Sequence, residues 1–196
     1  MKTLLREIRI SVIATTCLAV LVCGVYPTLV WTVAQVVFPH RANGSFVDIG
    51  GKPAGSSLIG QPFNGPQYFH PRPSAAGDGY DAANSGGANL GPTSKKLIDD
   101  VAARIARYRE LNQIGPDVPI PADAVTASSS GLDPHISVAN ALLQAPRVAR
   151  ARGMSLDDVK GRVNACTQGR QLGILGEPRV NVLLLNLALD GKMYKP

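Results

Sequence analysis

From Ile10 to Pro39 the chain carries no charged residue, and Val, Ile, Leu, Ala and Thr dominate. About 20 apolar residues, rising 1.5 Å each as a helix, cross a hydrocarbon core roughly 30 Å thick, so this run can span a bilayer with length left for tilt. It reads as a membrane-spanning helix over residues 10–38. After it, Gly, Pro, Ser and Asn become frequent and charges return, which puts the domain boundary at 39–43. Lys2, Arg6 and Arg9 precede the run, with Glu7 as the lone acid. Cationic flanks stay on the cytoplasmic side. Residues 1–9 are therefore expected in the cytoplasm and residues 39–196 outside it, in the periplasm. Tyr26, Trp31 and Phe38 lie toward the outer end, where aromatic rings favour the interface. A cleavable signal peptide is the competing reading, and Thr32-Val33-Ala34 resembles a cleavage pattern. Signal h-regions, however, run to about 7–15 residues, and this run is roughly twice that.

Of the formal charge of +6, residues 1–9 hold +2 (three cations, one anion), which leaves +4 for the rest, dispersed and without a basic run. A nucleic-acid footprint needs a clustered patch, so no nucleic-acid partner is expected. Three cysteines give no disulfide framework. Cys17 and Cys23 lie in the apolar run as small apolar residues, and Cys166 stands alone, either buried and unreactive or paired between chains.

The outer residues read as a small α+β domain. Residues 42–92 suggest short strands and ordered loops, with apolar stretches at Ser57-Leu58-Ile59 and Tyr68-Phe69. Residues 93–112 form the best soluble helix. Thr93 or Ser94 caps it, one stripe runs through Leu97, Val101, Ile105, Tyr108 and Leu111, and Gly115-Pro116 ends it. Val125-Thr126-Ala127 suggests a short strand. Ser137 caps a second helix, which Pro146 is expected to interrupt or shift. Ser155 caps a third, with Asp157-Asp158 suiting its dipole. Val180 to Leu189 is too short to span a membrane and reads as a buried helix, or a strand leading into one.

Recognisable catalytic chemistry is missing. There is no phosphate-binding Gly-rich Lys-Ser/Thr loop, no Cys-x-x-Cys, no His-Glu-x-x-His and no Gly-x-Ser-x-Gly elbow. His40, His70 and His135 are widely spread, and no catalytic or metal residues are assigned. Ser128, Asp133 and His135 fall close together, as a triad of a membrane-anchored hydrolase would require in space. The plainer reading is a polar turn, with Asp133 and the serines bonding the backbone around Pro134.

Longer runs are more specific. They include Gly24-Val25-Tyr26-Pro27, Ala42-Asn43-Gly44-Ser45, Gly55-Ser56-Ser57-Leu58-Ile59-Gly60-Gln61, Tyr68-Phe69-His70-Pro71-Arg72-Pro73-Ser74 and Ser85-Gly86-Gly87-Ala88-Asn89-Leu90. Val125 through Ser137, Gln144-Ala145-Pro146-Arg147-Val148-Ala149 and Val180 through Leu189 continue the pattern. In this order the chain resembles the C subunits of the bacterial Kdp potassium-transporting P-type ATPases. The resemblance implies a non-hydrolysing, single-span accessory subunit of the inner membrane, needed for assembly and described as raising the ATP affinity of the ATPase subunit. Its implied partners are a channel-like K⁺-translocating subunit, the P-type ATPase subunit and membrane lipid, with ATP and K⁺ handled by the complex. It also implies ATP-related roles for Ser129, Ser130, Gly131 and Gln144, although the charge bias puts all four outside the membrane, where ATP is scarce. Gln61, Arg72, Asn89, Asp133 and Arg147, polar positions that turns alone do not explain, are candidate subunit contacts. The other function classes left open are the anchored serine hydrolase and a free-standing anchored binding protein.

Overall fold

In the computed structural model, which describes residues 2–192, the uncharged run lies, up to Val37, in one continuous helix, Thr3–Val37. It starts before the apolar run because backbone hydrogen bonding does not need apolar side chains. Its course is α1 (Lys2–Ala19), a wider π-helical turn (Val20–Val25) and α2 (Tyr26–Val37). The cause of the π turn is Pro27, which has no N–H to give and whose ring crowds the preceding turn. The Tyr26 N–H reaches back five residues to the Leu21 carbonyl. The hydroxyls of Thr28 and Thr32 donate to the carbonyls of Gly24 and Thr28, each at 2.8 Å. Side-chain hydroxyls satisfying backbone groups beside a proline let a helix continue where no water reaches it. A short helix, α3 (Pro39–Ala42), follows.

The chain divides into two compact units, Met1–Ser45 and Phe46–Pro196. The second is a mixed helix-and-strand region. It opens with an antiparallel hairpin of β1 (Phe46–Ile49) and β2 (Lys52–Ser56). The hairpin loop is Gly50-Gly51, with φ of +58° and +78°. A two-residue loop matching the strand twist needs positive φ at both positions, which glycine adopts freely. Val47 on this hairpin packs on Leu183 and Leu187.

Next come α4 (Lys95–Asn112), a single 3-10 turn (Ala122–Ala124), β3 (His135–Ser137) and α5 (Val138–Arg152). The remaining elements are α6 (Leu156–Ala165), β4 (Thr167–Gln168), β5 (Arg179–Asn181) and α7 (Val182–Leu189). The three short strands form an antiparallel sheet in the order β3-β5-β4, with Ile136 opposite Val180. Its apolar side meets α5, α6 and α7 in one core containing Phe69, Ile136, Ala145, Val148, Val159, Val163, Val180 and Leu185. Ser94, Ser137 and Ser155 each cap their helix, accepting from Leu97, Asn140 and Asp158 N–H.

Four expectations need correcting. Helix α4 ends at Asn112, as expected, but the residue that stops it is Gln113, in left-handed backbone (φ +55°), and not Gly115-Pro116. Val125-Thr126-Ala127 is not a strand: Thr126 bonds back to the Ala122 carbonyl through both its N–H and its hydroxyl, and Val125 is buried. Pro146 neither breaks nor shifts α5. The missing bond leaves the Leu142 carbonyl, at a partly exposed residue, without its usual partner, and packing of the rest of the helix outweighs that loss. Tyr68-Phe69 and Ser57-Leu58-Ile59 form no strand either.

Candidate functional site

The Tyr68–His70 backbone is held by amide side chains instead of a sheet. Asn186 Oδ1 accepts from Phe69 N–H (2.8 Å) and its Nδ2 donates to Phe69 C=O (3.0 Å). One residue on, Gln144 does the same for His70: Oε1 accepts from its N–H (2.7 Å) and Nε2 donates to its C=O (3.0 Å). Each amide copies the two-bond pattern of an antiparallel partner. Helices α5 and α7 thereby supply, from side chains, the pairing that an edge strand would supply from its backbone.

Gln144 completes its bonding by donating to Asn140 Oδ1 (2.9 Å) and accepting from Arg147 Nη2 (2.8 Å). It is 1% exposed, and both donors and both acceptor positions are filled within the chain. Arg147, also buried, donates through Nε to Asn112 Oδ1 (2.9 Å) and through Nη1 to the carbonyls of Pro66 and Tyr68. Among the described residues no carboxylate pairs with it. Burial pushes its guanidinium down to about 10, so it stays charged at neutral pH. Asn140 Oδ1 also takes the Tyr108 hydroxyl (2.7 Å), and burial raises that phenol. Asp123 ties the end of β3 to the start of α5, accepting from the Ser137 N–H and hydroxyl (both 2.8 Å) and from Asn140 Nδ2 (2.9 Å).

The serine loop is clamped by its neighbours. Gly86 N–H and the Ser85 hydroxyl donate to Ser130 C=O (3.0 and 2.9 Å), and the Ser74 hydroxyl donates to Gly131 C=O (2.7 Å). Gly131 sits at φ +69°, where a Cβ would lie 2.6 Å from both Ala76 N and Gly86 O. Only glycine allows that approach. Ser129 and Ser130 are exposed and Ser128 is buried.

Asp133 accepts from His135 N–H (3.0 Å) and from Arg72 Nη1 (2.9 Å), and its carboxylate lies 3.3 Å from His135 Nδ1. Burial acts to raise this carboxyl, but the His135 ring and N–H together with Arg72 hold it down at about 2. Tyr80, whose hydroxyl donates to the Arg72 carbonyl, has its phenol raised by burial, and Asp133 adds to the shift. Among the described residues no hydrogen bond joins Ser128 to His135, and Asp133 serves the turn and Arg72 instead. The polar-turn reading of this stretch is the one the geometry supports.

Of the candidate contact residues, Asn89 is exposed, at φ +49°. Gln61, Arg72 and Asp133 are half-buried and bonded internally, Gln61 to the Ala54 carbonyl. Arg147 is buried at 5% exposure, with four hydrogen bonds inside the chain. Cys166 packs against the core, and burial raises its thiol. Sequence reasoning missed Asn140, Asn181 and Asn186, all buried. The available signal was two asparagines inside the otherwise apolar run 180–189.

A groove of about 660 Å³ is lined by residues of α4 and of the 62–74 segment, with Gln144 at its inner side. None of Ser129, Ser130 and Gly131 lines it, so the groove does not bring the four ATP-related positions together. Among the described residues no three His, Cys, Asp or Glu side chains converge as a metal-ligand set.

The family model described as "KdpC: K+-transporting ATPase, c chain" matches residues 8–191. The chain is 52% identical over 189 residues to the potassium-transporting ATPase KdpC subunit of Koribacter versatilis (strain Ellin345), with 95% of each covered. To the subunit of that name from Rhodospirillum rubrum it is 55% identical over 187 residues, covering 95% of this chain and 96% of the relative. To that of Mycobacterium tuberculosis (strain ATCC 25618 / H37Rv) it is 55% identical over 166 residues, covering 85% and 88%.

Proposed function

The chain belongs to the KdpC family, the c chain of K⁺-transporting ATPases, and from that premise we propose that it is a non-hydrolysing accessory subunit of an ATP-driven potassium-uptake complex. The observation that carries this reading is the extent of the match: residues 8–191 take in both the membrane-length helix and nearly all of the domain after it. The proposed partners are the channel-like K⁺-translocating subunit and the P-type ATPase subunit. Helix Thr3–Val37 anchors the chain in the cytoplasmic membrane once, with Lys2, Arg6 and Arg9 on the cytoplasmic side and residues from 39 onward in the periplasm. The periplasmic domain docks on the channel-like subunit, where its Gly- and Asn-rich loops supply a shaped surface.

The effect on ATP affinity belongs to this proposal in an indirect form. Gln144 has no free polar atom, and the Ser130 and Gly131 carbonyls already hold the 74–86 segment. Contacts between subunits, the spanning helix among them, therefore carry the effect to the ATPase subunit, and no nucleotide bond to this chain is needed.

Purification in a mild detergent tests the main claim. The chain should elute with two larger subunits, and a chain that always elutes alone defeats the reading. A reporter fused after Pro196 tests the topology: periplasmic activity is expected, and cytoplasmic activity reverses the orientation.

A further inference from the structure

The groove between α4 and the 62–74 segment carries more cations than carboxylates in its lining. Arg72, Arg104 and Arg107 line it against a single carboxylate, Glu110. Arg72 is paired with Asp133, yet its buried Nε–H has no acceptor. Among the described residues Arg104 makes one hydrogen bond, to the Val125 carbonyl (3.2 Å). Arg107 is exposed and makes no hydrogen bond or ion pair among the described residues. Its charge is nonetheless felt inside: burial lowers His70, and Arg147 and Arg107 push the same way against the bond to Gly65. A guanidinium without a partner at a groove offers a planar fork that matches a carboxylate. The walls beside these arginines are partly apolar, from Pro71, Tyr108 and Leu111. A small inorganic anion would leave those walls uncovered, whereas an extended chain bearing Asp or Glu covers them and meets the arginines together.

We propose that this groove receives an extended acidic segment of a partner protein, with Arg107 and Arg104 taking its carboxylates and Pro71, Tyr108 and Leu111 packing along its backbone. This goes beyond the subunit reading, because it names the chemistry of one contact, and it is tested without the complex.

The probe is fluorescein-labelled hexaglutamate, titrated into the full-length chain in neutral detergent at low salt and followed by anisotropy. Arg107→Glu should weaken binding by at least about tenfold, since it replaces an attractive fork by a like charge. Arg150→Glu makes the same charge change at an exposed α5 residue outside the groove and should weaken binding by less than about twofold. Neither side chain forms a fold contact among those described, so circular dichroism should be unchanged in both. Unlabelled hexaglutamate should displace the probe at concentrations at least about tenfold below inorganic phosphate or ATP. No saturable binding by the unmodified chain overturns the proposal. Equal losses in the two variants overturn it in favour of net charge alone. Phosphate or ATP competing as well as the peptide overturns it in favour of a small-anion site.

Discussion

Replacing Gln144 by leucine keeps the volume nearly constant and deletes four hydrogen bonds. Two of the four partner residues keep other bonds. Asn140 Oδ1 keeps the Tyr108 hydroxyl, and Arg147 keeps Asn112, Pro66 and Tyr68 through Nε and Nη1, although its Nη2 loses its acceptor. The larger loss falls on the His70 N–H and C=O, which have no other partner among the described residues. A buried backbone group left unsatisfied costs about 1–3 kcal/mol. His70 is half-buried, so the lower part of the range applies, and the two groups together cost about 2–4 kcal/mol. For a chain of this size each kcal/mol lowers Tm by about 2–4 °C, so a fall of roughly 5–15 °C is expected. The assay is thermal unfolding of the full-length protein in mild detergent, with amide exchange at His70 as a local check. Exchange there should accelerate. A Tm within about 2 °C of the parent, combined with a lost effect on ATP affinity in the assembled complex, refutes the reasoning, because Gln144 would then serve a nucleotide and not the fold.

Acid should expose the Asp133 contribution. Its folded value of about 2 lies below the ordinary 3.8, so the ionised carboxylate stabilises the fold fully above about pH 4–5 and loses that contribution as pH falls toward 2. The Tm difference between the parent and Asp133→Asn should be constant from pH 7 to about 5 and close toward pH 2; a gap that persists to pH 2 speaks against it. Gly131→Ala forces a left-handed alanine (about 1 kcal/mol) and pushes on backbone at 2.6 Å, so a loss above about 2 kcal/mol is expected, with faster proteolysis between residues 77 and 85. Parental cleavage there would show that the clamp is not needed. Arg147→Lys keeps the charge but cannot reach Asn112, Gln144, Pro66 and Tyr68 at once. It should lower stability by about 2–4 kcal/mol, read as Tm, and an unchanged Tm would mean that charge alone suffices.

The sequence by itself determined the membrane-length helix, the serine caps of α5 and α6, the stripe of α4 and the burial of 180–189, while it left open whether Thr93 or Ser94 caps α4 and whether that last run is a helix or a strand leading into one. Each of these depends on residues near one another along the chain: an uncharged run, a hydroxyl three residues before the N–H it caps, apolar positions three and four apart. Its length and its ordered runs also carried the family. The tertiary structure decided what depends on partners far apart in sequence. Tyr68-Phe69 has the composition of a strand, yet it forms none: Asn186, 117 residues away on α7, pairs with the Phe69 backbone, and Gln144, 74 residues away on α5, pairs with that of His70 beside it. Val125-Thr126 has high β propensity and still turns, because burying Val125 outweighs that preference. Arg147 read as a surface contact, and only packing revealed it as a buried cation holding four acceptors. The same holds for the groove: Arg72, Arg104 and Arg107 lie on two segments whose spacing carries no motif, and only folding brings them to face one another's ligand space. The opening helix remains the feature that local physics settles most completely, since an uncharged run of that length needs no distant partner to be a helix.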